Sequence, residues 1–107
     1  AFGYNNLVVD PLGVEELKAT RAPIVFDVTH ALQQPGAQGT HTGGRGHHVD
    51  ALARAGVALG IAGLFVELHP KPEQALCDGP CALDLNRFDQ FLERMCTLDT
   101  LVKSWPD

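Results

Sequence analysis

Positive charge is scarce in this sequence: its 107 residues hold 8 Lys and Arg against 13 Asp and Glu, a net charge of −5. So few cations, scattered along an acidic chain, cannot form the stripe that holds a phosphate backbone, which excludes a nucleic-acid binder. Long apolar runs are missing as well. The longest, around Gly56 to Val66, is broken by Gly56, Gly60 and Gly63 and is too short to cross a bilayer. Nothing near the start has the pattern of a signal peptide. Cysteine is rare and odd in number, 3 residues with no framework spacing, so a reducing, cytoplasmic compartment is expected rather than a disulfide-stapled one. An initiator Met is lacking too: the sequence opens Ala1-Phe2-Gly3, and the expectation is that it starts partway through something longer. Apolar content is not lacking. At 45% hydrophobic and 20% charged, the composition belongs to a folded domain and rules out a disordered tail.

The order of elements is helix, strand, helix, strand, helix. Asp10-Pro11 starts the first helix, with an N-cap carboxylate followed by proline in the first turn, and the helix runs to about Arg21. Pro23 to His30 reads as a strand, and its run Ile24-Val25-Phe26 is continuously apolar, as in a parallel strand covered on both faces. A glycine-rich loop follows from Gln33 to about His47. Val49, Leu52, Ala53, Gly56 and Val57 then line one face of a second helix that Gly60 stops. Ile61 to Glu67 is a second buried strand. A polar loop with Pro70, Pro72, Gly79 and Pro80 leads to Asp84, an N-cap for a last helix carrying Phe88, Phe91, Leu92, Met95, Leu98 and Val102 on one stripe. Pro106 prevents its extension.

Two such strands joined through helices should pair in parallel, yet two strands and three one-faced helices leave strand edges unpaired. A parallel barrel needs about 250 residues. The whole of 1–107 is therefore expected to be one partial domain, the C-terminal portion of a (β/α)8 TIM barrel, with a small three-layer domain as the compact alternative.

In such barrels chemistry stands at the carboxyl ends of the strands. His30 ends the first strand, Glu67 the second, and Asp78 lies in the loop beyond, within Cys77-Asp78-Gly79-Pro80. A His, a Glu and an Asp on one rim can hold a divalent metal or orient and protonate a substrate oxygen. By position alone His30 reads equally well as a hydrogen-bonded strand-end histidine. Glu67 has no folding reason to end an apolar strand. The loop from Gln33 to Arg45, with Gly36, Gly39, Gly43 and Gly44, matches no nucleotide-binding pattern and reads as a lid over the rim. His47-His48 and the Cys77/Cys81 pair lack the partners of a structural zinc site and read as incidental. Cys96 reads as a small hydrophobe, and Trp105 as packing on the barrel's outside.

Five motifs in order carry a resemblance: Phe2-Gly3-Tyr4-Asn5-Asn6-Leu7-Val8-Val9-Asp10, Phe26-Asp27-Val28-Thr29-His30-Ala31-Leu32-Gln33, Thr42-Gly43-Gly44-Arg45, Ala62-Gly63-Leu64-Phe65-Val66-Glu67-Leu68-His69-Pro70 and Cys77-Asp78-Gly79-Pro80. Together they resemble the 3-deoxy-D-manno-octulosonate 8-phosphate synthase family over nearly the whole chain. The related 3-deoxy-D-arabino-heptulosonate 7-phosphate synthases share the chemistry but match these motifs less well. The resemblance implies a homotetrameric barrel that condenses phosphoenolpyruvate with D-arabinose 5-phosphate, on the route to lipopolysaccharide, with no nucleic-acid or membrane partner. It implies catalytic roles for His30, Glu67 and Asp78, and sugar-phosphate contacts from Gln33, Thr42, Gly43, Gly44 and Arg45. Thr42 stands where the family usually has serine, and the lysines and arginine that hold phosphoenolpyruvate lie upstream of Ala1 in the family. His30, Glu67 and Asp78 would bind a metal only in the metal-dependent branch. The Asp78 loop resembles the other branch, so no cofactor is expected. The alternative of another class is a short, non-catalytic interaction module.

Overall fold

The computed structural model describes residues 7–38, 41–44, 48–71 and 83–106, with 33–38 and 41–44 described by their backbone. Helix α1, Pro11–Leu17, starts as its sequence dictates: the Asp10 carboxylate accepts from the Leu12 N–H at 3.0 Å and Pro11 sits at the first helical position. It is shorter than the expected run to Arg21. The chain tightens into a 3₁₀ turn over Lys18–Thr20, where the Thr20 hydroxyl donates to the Leu17 carbonyl and accepts from the Ala22 N–H. A threonine side chain that bonds to its own backbone in this way competes with helix continuation. Arg21 then turns the chain with φ of 63°, a left-handed conformation that L residues seldom adopt.

Strand β1, Val25–Asp27, is followed by a 3₁₀ turn at His30–Leu32 and by a hairpin of β2, Gln33–Gln38, and β3, His41–Gly44. The hairpin replaces part of the glycine-rich loop expected from Gln33 to about His47. Its register pairs Gln33 with Gly44, Gln34 with Gly43 and Gln38 with His41, and it breaks between Gln34 and Gln38. Pro35, which has no N–H to give to a ladder, sits in that break. Helix α2, Val49–Ala58, returns the chain to β4, Gly63–Phe65, which pairs in parallel with β1: Val25 with Gly63, Phe26 with Leu64, Asp27 with Phe65. Gly60, at φ 77°, makes the turn out of α2, and its N–H reaches the Val57 carbonyl. The side chain of Lys18 donates to the Leu59 carbonyl and pairs with Glu15, tying the first helical segment to the end of α2.

A second parallel ladder was not expected. Strand β5, Leu68–His69, pairs with β6, Leu83–Asp84, so a third strand position follows the two anticipated ones. Asp84 is the expected cap, accepting from the Asn86 N–H at 2.9 Å, but it opens a 3₁₀ turn, Leu85–Arg87, that precedes helix α3, Phe88–Lys103.

The core lies between the sheet and the α2–α3 layer: Val28, Leu32, Val49, Ala53, Val57, Leu83, Phe91 and Met95, with Phe26, Leu64, Val66, Phe88 and Leu98 packed against it. The stripes read from helical spacing on α2 and α3 therefore do face the sheet, except that Leu92 is exposed. Gly56 permits the approach of α2 to β1, because a Cβ there would stand 2.1 Å from the Phe26 ring. Cys96 and Trp105 depart from expectation: both are exposed. Parallel strands, three helices and a sheet face covered by two of them make this an α/β unit, and no helix among the described residues is long and apolar enough to cross a membrane.

Candidate active site

The end of β1 is built to hold one imidazole. Asp27, the last residue of the strand, turns its carboxylate back over the next residues, and Oδ1 accepts from the backbone N–H of Thr29 at 3.0 Å and of His30 at 2.9 Å. An aspartate bonded to backbone two and three residues on is an Asx turn, and it ends the strand. The other oxygen, Oδ2, stands 2.7 Å from Nδ1 of His30. His30 thus lies three residues beyond the strand, in the 3₁₀ turn, and not at the strand's own end as expected.

Glu67 lies two residues past β4, and its backbone is held from both sides. Its N–H donates to the Thr29 hydroxyl at 2.8 Å, and its carbonyl accepts from the Leu83 N–H at 2.8 Å. Thr29 is fully buried, 0% exposed, so the hydroxyl that receives Glu67 is fixed by the packing around it. The Val28 N–H adds a bond to the Phe65 carbonyl at 3.1 Å, which carries the parallel pairing one residue beyond the strands.

These backbone bonds bring the two side chains together. His30 Nε2 and Glu67 Oε1 are 3.7 Å apart, and both side chains are about a third exposed. That distance is too long for a hydrogen bond between them and is within the range that two groups hydrogen-bonded to one shared oxygen can have. Phe65 stands beside the imidazole, with ring centroids 5.9 Å apart and the planes tilted by 41°. The row Asp27–His30–Glu67 gives a carboxylate that orients the ring and a second carboxylate that faces its far nitrogen, an arrangement suited to taking or giving a proton on a bound oxygen.

Of the residues singled out from sequence, His30 and Glu67 meet here. Gln33, Thr42, Gly43 and Gly44 lie on the β2–β3 hairpin, which starts directly after the His30–Leu32 turn. Asp78, Arg45, His47, Cys77 and Cys81 lie outside the described residues. Asp27 and Thr29 were missed as parts of the site. The signal was present in Asp27-Val28-Thr29-His30, an aspartate closing an apolar strand two residues before a threonine. His30 and Glu67 are two metal-type donors, but no group of three His, Cys, Asp or Glu suited to an ion occurs among the described residues. Two donors do not make a tight divalent site.

Parallel strands joined by a covering helix make this an α/β chain, with a histidine and two carboxylates gathered past the strands' carboxyl ends. Residues 1–104 match the DAHP synthetase I family, and the chain belongs to that family. It is similar to the 2-dehydro-3-deoxyphosphooctonate aldolases of Shewanella pealeana and Shewanella denitrificans, 55% identical to each over 105 residues, and to that of Shewanella baltica at 54%. The matched stretch is 98% of this chain but 37% of each of those proteins, so the chain spans little more than a third of the length of the curated relatives it matches.

Proposed function

We propose that the chain is the C-terminal part of a (β/α)8 barrel and supplies part of the catalytic rim of an enzyme that condenses phosphoenolpyruvate with D-arabinose 5-phosphate. The products are 3-deoxy-D-manno-octulosonate 8-phosphate, which the relatives' name describes as a 2-dehydro-3-deoxyphosphooctonate, and inorganic phosphate. The observation that carries the reading is the His30–Glu67 pair, 3.7 Å apart past the ends of two parallel strands. The exposed faces of Val25 and Phe65 on those strands support the barrel, since barrel strands are buried on both sides.

In the reaction the enol carbon of phosphoenolpyruvate attacks the sugar aldehyde. The aldehyde oxygen takes up a proton, water adds to the adjacent carbon, and phosphate leaves with cleavage of its C–O bond. His30 and Glu67 orient the aldehyde oxygen and the attacking water, and Nε2 moves the proton. Asp78 joins them on the rim in this reading. The β2–β3 hairpin, with Gln33, Thr42, Gly43, Gly44 and Arg45 on or beside it, closes over the sugar phosphate.

The family's description favours a second reading, a seven-carbon product. That product requires a four-carbon aldose phosphate, whereas the eight-carbon one requires five carbons. Offering both aldehydes, with phosphoenolpyruvate, to the complete enzyme containing these residues tests the choice. Phosphate release with arabinose 5-phosphate is the expected outcome; release only with the four-carbon sugar selects the second reading, and release with neither supports a non-catalytic module. Light scattering of the same preparation tests the homotetramer that the reading includes.

A further inference from the structure

We propose that Asp27 is a positioning residue for this reaction: it fixes the tautomer of His30 so that the proton sits on Nδ1 and Nε2 faces the Glu67 side as an acceptor. The proposal rests on the reading above for its effect on turnover, while its tautomer can be read without any activity. The two carboxylate oxygens of Asp27 have different tasks. Oδ1 takes two backbone N–H groups, those of Thr29 and His30, and Oδ2 takes the ring. A carboxylate only accepts, so the nitrogen 2.7 Å from Oδ2 is the donor and carries the hydrogen. Histidines whose ring N–H is held by a carboxylate are set in one tautomer and one orientation in this manner.

The division of tasks makes Asp27→Asn an unusually informative substitution. Two backbone N–H donors require an oxygen at the Oδ1 position, so the amide must place its carbonyl there and turn its NH2 toward the ring. The turn cannot shift to escape this, because Thr29 is fully buried and its hydroxyl is bonded to the Glu67 N–H at 2.8 Å. An NH2 group facing Nδ1 demands a lone pair there, which moves the ring proton to Nε2. The side chain keeps its shape and the turn keeps its cap, but the nitrogen beside Glu67 changes from acceptor to donor. A residue that merely closed the turn would not have this effect.

The test uses the complete enzyme with 15N-labelled histidine. Long-range 15N–1H spectra, recorded where the ring is neutral, are expected to give the Nδ1–H form for the parent and the Nε2–H form for Asp27→Asn. The melting temperature should stay within about 2 °C, with kcat lower by about 100-fold or more and KM for both substrates within about threefold. An Nε2–H ring in the parent overturns the proposal outright, whether or not the variant folds. So does an Asp27→Asn protein that keeps the parental tautomer, or one that changes tautomer with undiminished kcat. If the parent turns over neither substrate, the reading of function fails, and the tautomer spectra still decide the positioning role.

Discussion

The two faces of the β1–β4 ladder have opposite surroundings. One face, with Phe26, Val28, Leu64 and Val66, packs into the core beneath α2 and α3. The other carries Val25, 61% exposed, and Phe65, 49% exposed, and ends at His30 and Glu67. The strands are nevertheless apolar on both sides, so the pattern written in Ile24-Val25-Phe26 is that of a strand with two covers, and the chain itself supplies one. The difference separates stability from chemistry. The covered face determines whether α2 and α3 hold the sheet, and the open face positions the polar groups at its upper end without filling a core.

The largest expected effect comes from the open face. In the complete enzyme, Glu67→Ala and His30→Ala should each lower turnover by about 100-fold to 10,000-fold while thermal melting stays close to the parent's, since both side chains are partly exposed and their removal opens no cavity. Near-parental turnover in either variant removes that residue from the site. On the covered face the expected result is reversed: stability falls. Met95→Ala deletes a side chain that is 4% exposed and should destabilise by about 2–5 kcal/mol, whereas Leu101→Ala, on the outer side of the same helix, should cost less than about 0.5 kcal/mol. Equal effects in chemical denaturation would break the contrast between the helix's two sides.

A smaller effect tests how closely helix and sheet approach. Gly56→Ala gains helix propensity, worth up to about 1 kcal/mol, but its methyl group would meet the Phe26 ring at 2.1 Å. The ring or the helix has to move, and the net loss should be about 1–3 kcal/mol in denaturant titrations. A variant as stable as the parent would mean that Phe26 has room to rotate away. Val25→Ser should do less still in the 107-residue chain, within about 0.5 kcal/mol, because the side chain is mostly in water there. In a completed barrel the same change should be clearly destabilising, and the gap between the two measurements reports whether the open face becomes a core.

Much of this contrast is legible in the sequence, and its limits have physical causes. The faces of α2 and α3 follow from helical spacing because the apolar residues repeat over at least two turns, enough to define a direction. The strands follow from continuous apolar runs, and Glu67 stands out because an acid ending such a run contributes nothing to burial. The β2–β3 hairpin is hidden because Gln, Gly and Pro, which make up most of its two strands, carry no strand preference. Strand β6 is hidden by length: two residues, Leu83–Asp84, cannot show a period, and Asp84 is more visible as a cap. The role of Asp27 depends on the fold of a turn. Its carboxylate meets His30 only because the backbone N–H groups of Thr29 and His30 curl toward it.

The smallest expected effect concerns metal and decides what kind of chemistry the open face uses. His30 Nε2 and Glu67 Oε1 come from the segments just past the two paired strands, and in the proposed reading Asp78 brings the donors of the rim to three. Three nitrogen and oxygen donors with an open fourth position are the donor set of catalytic divalent sites, so the expectation of no metal rests on the resemblance of the Asp78 loop to the metal-independent branch. The imidazole is already oriented by Asp27, which leaves its geometry independent of any ligand bond. Exhaustive treatment with EDTA should therefore leave the complete enzyme within about twofold of its starting turnover, with less than one equivalent of metal per chain by elemental analysis beforehand. Loss of activity that manganese or zinc restores would mean that His30 and Glu67 serve as ligands, and that the open face supplies a metal site rather than a pair of acid–base groups.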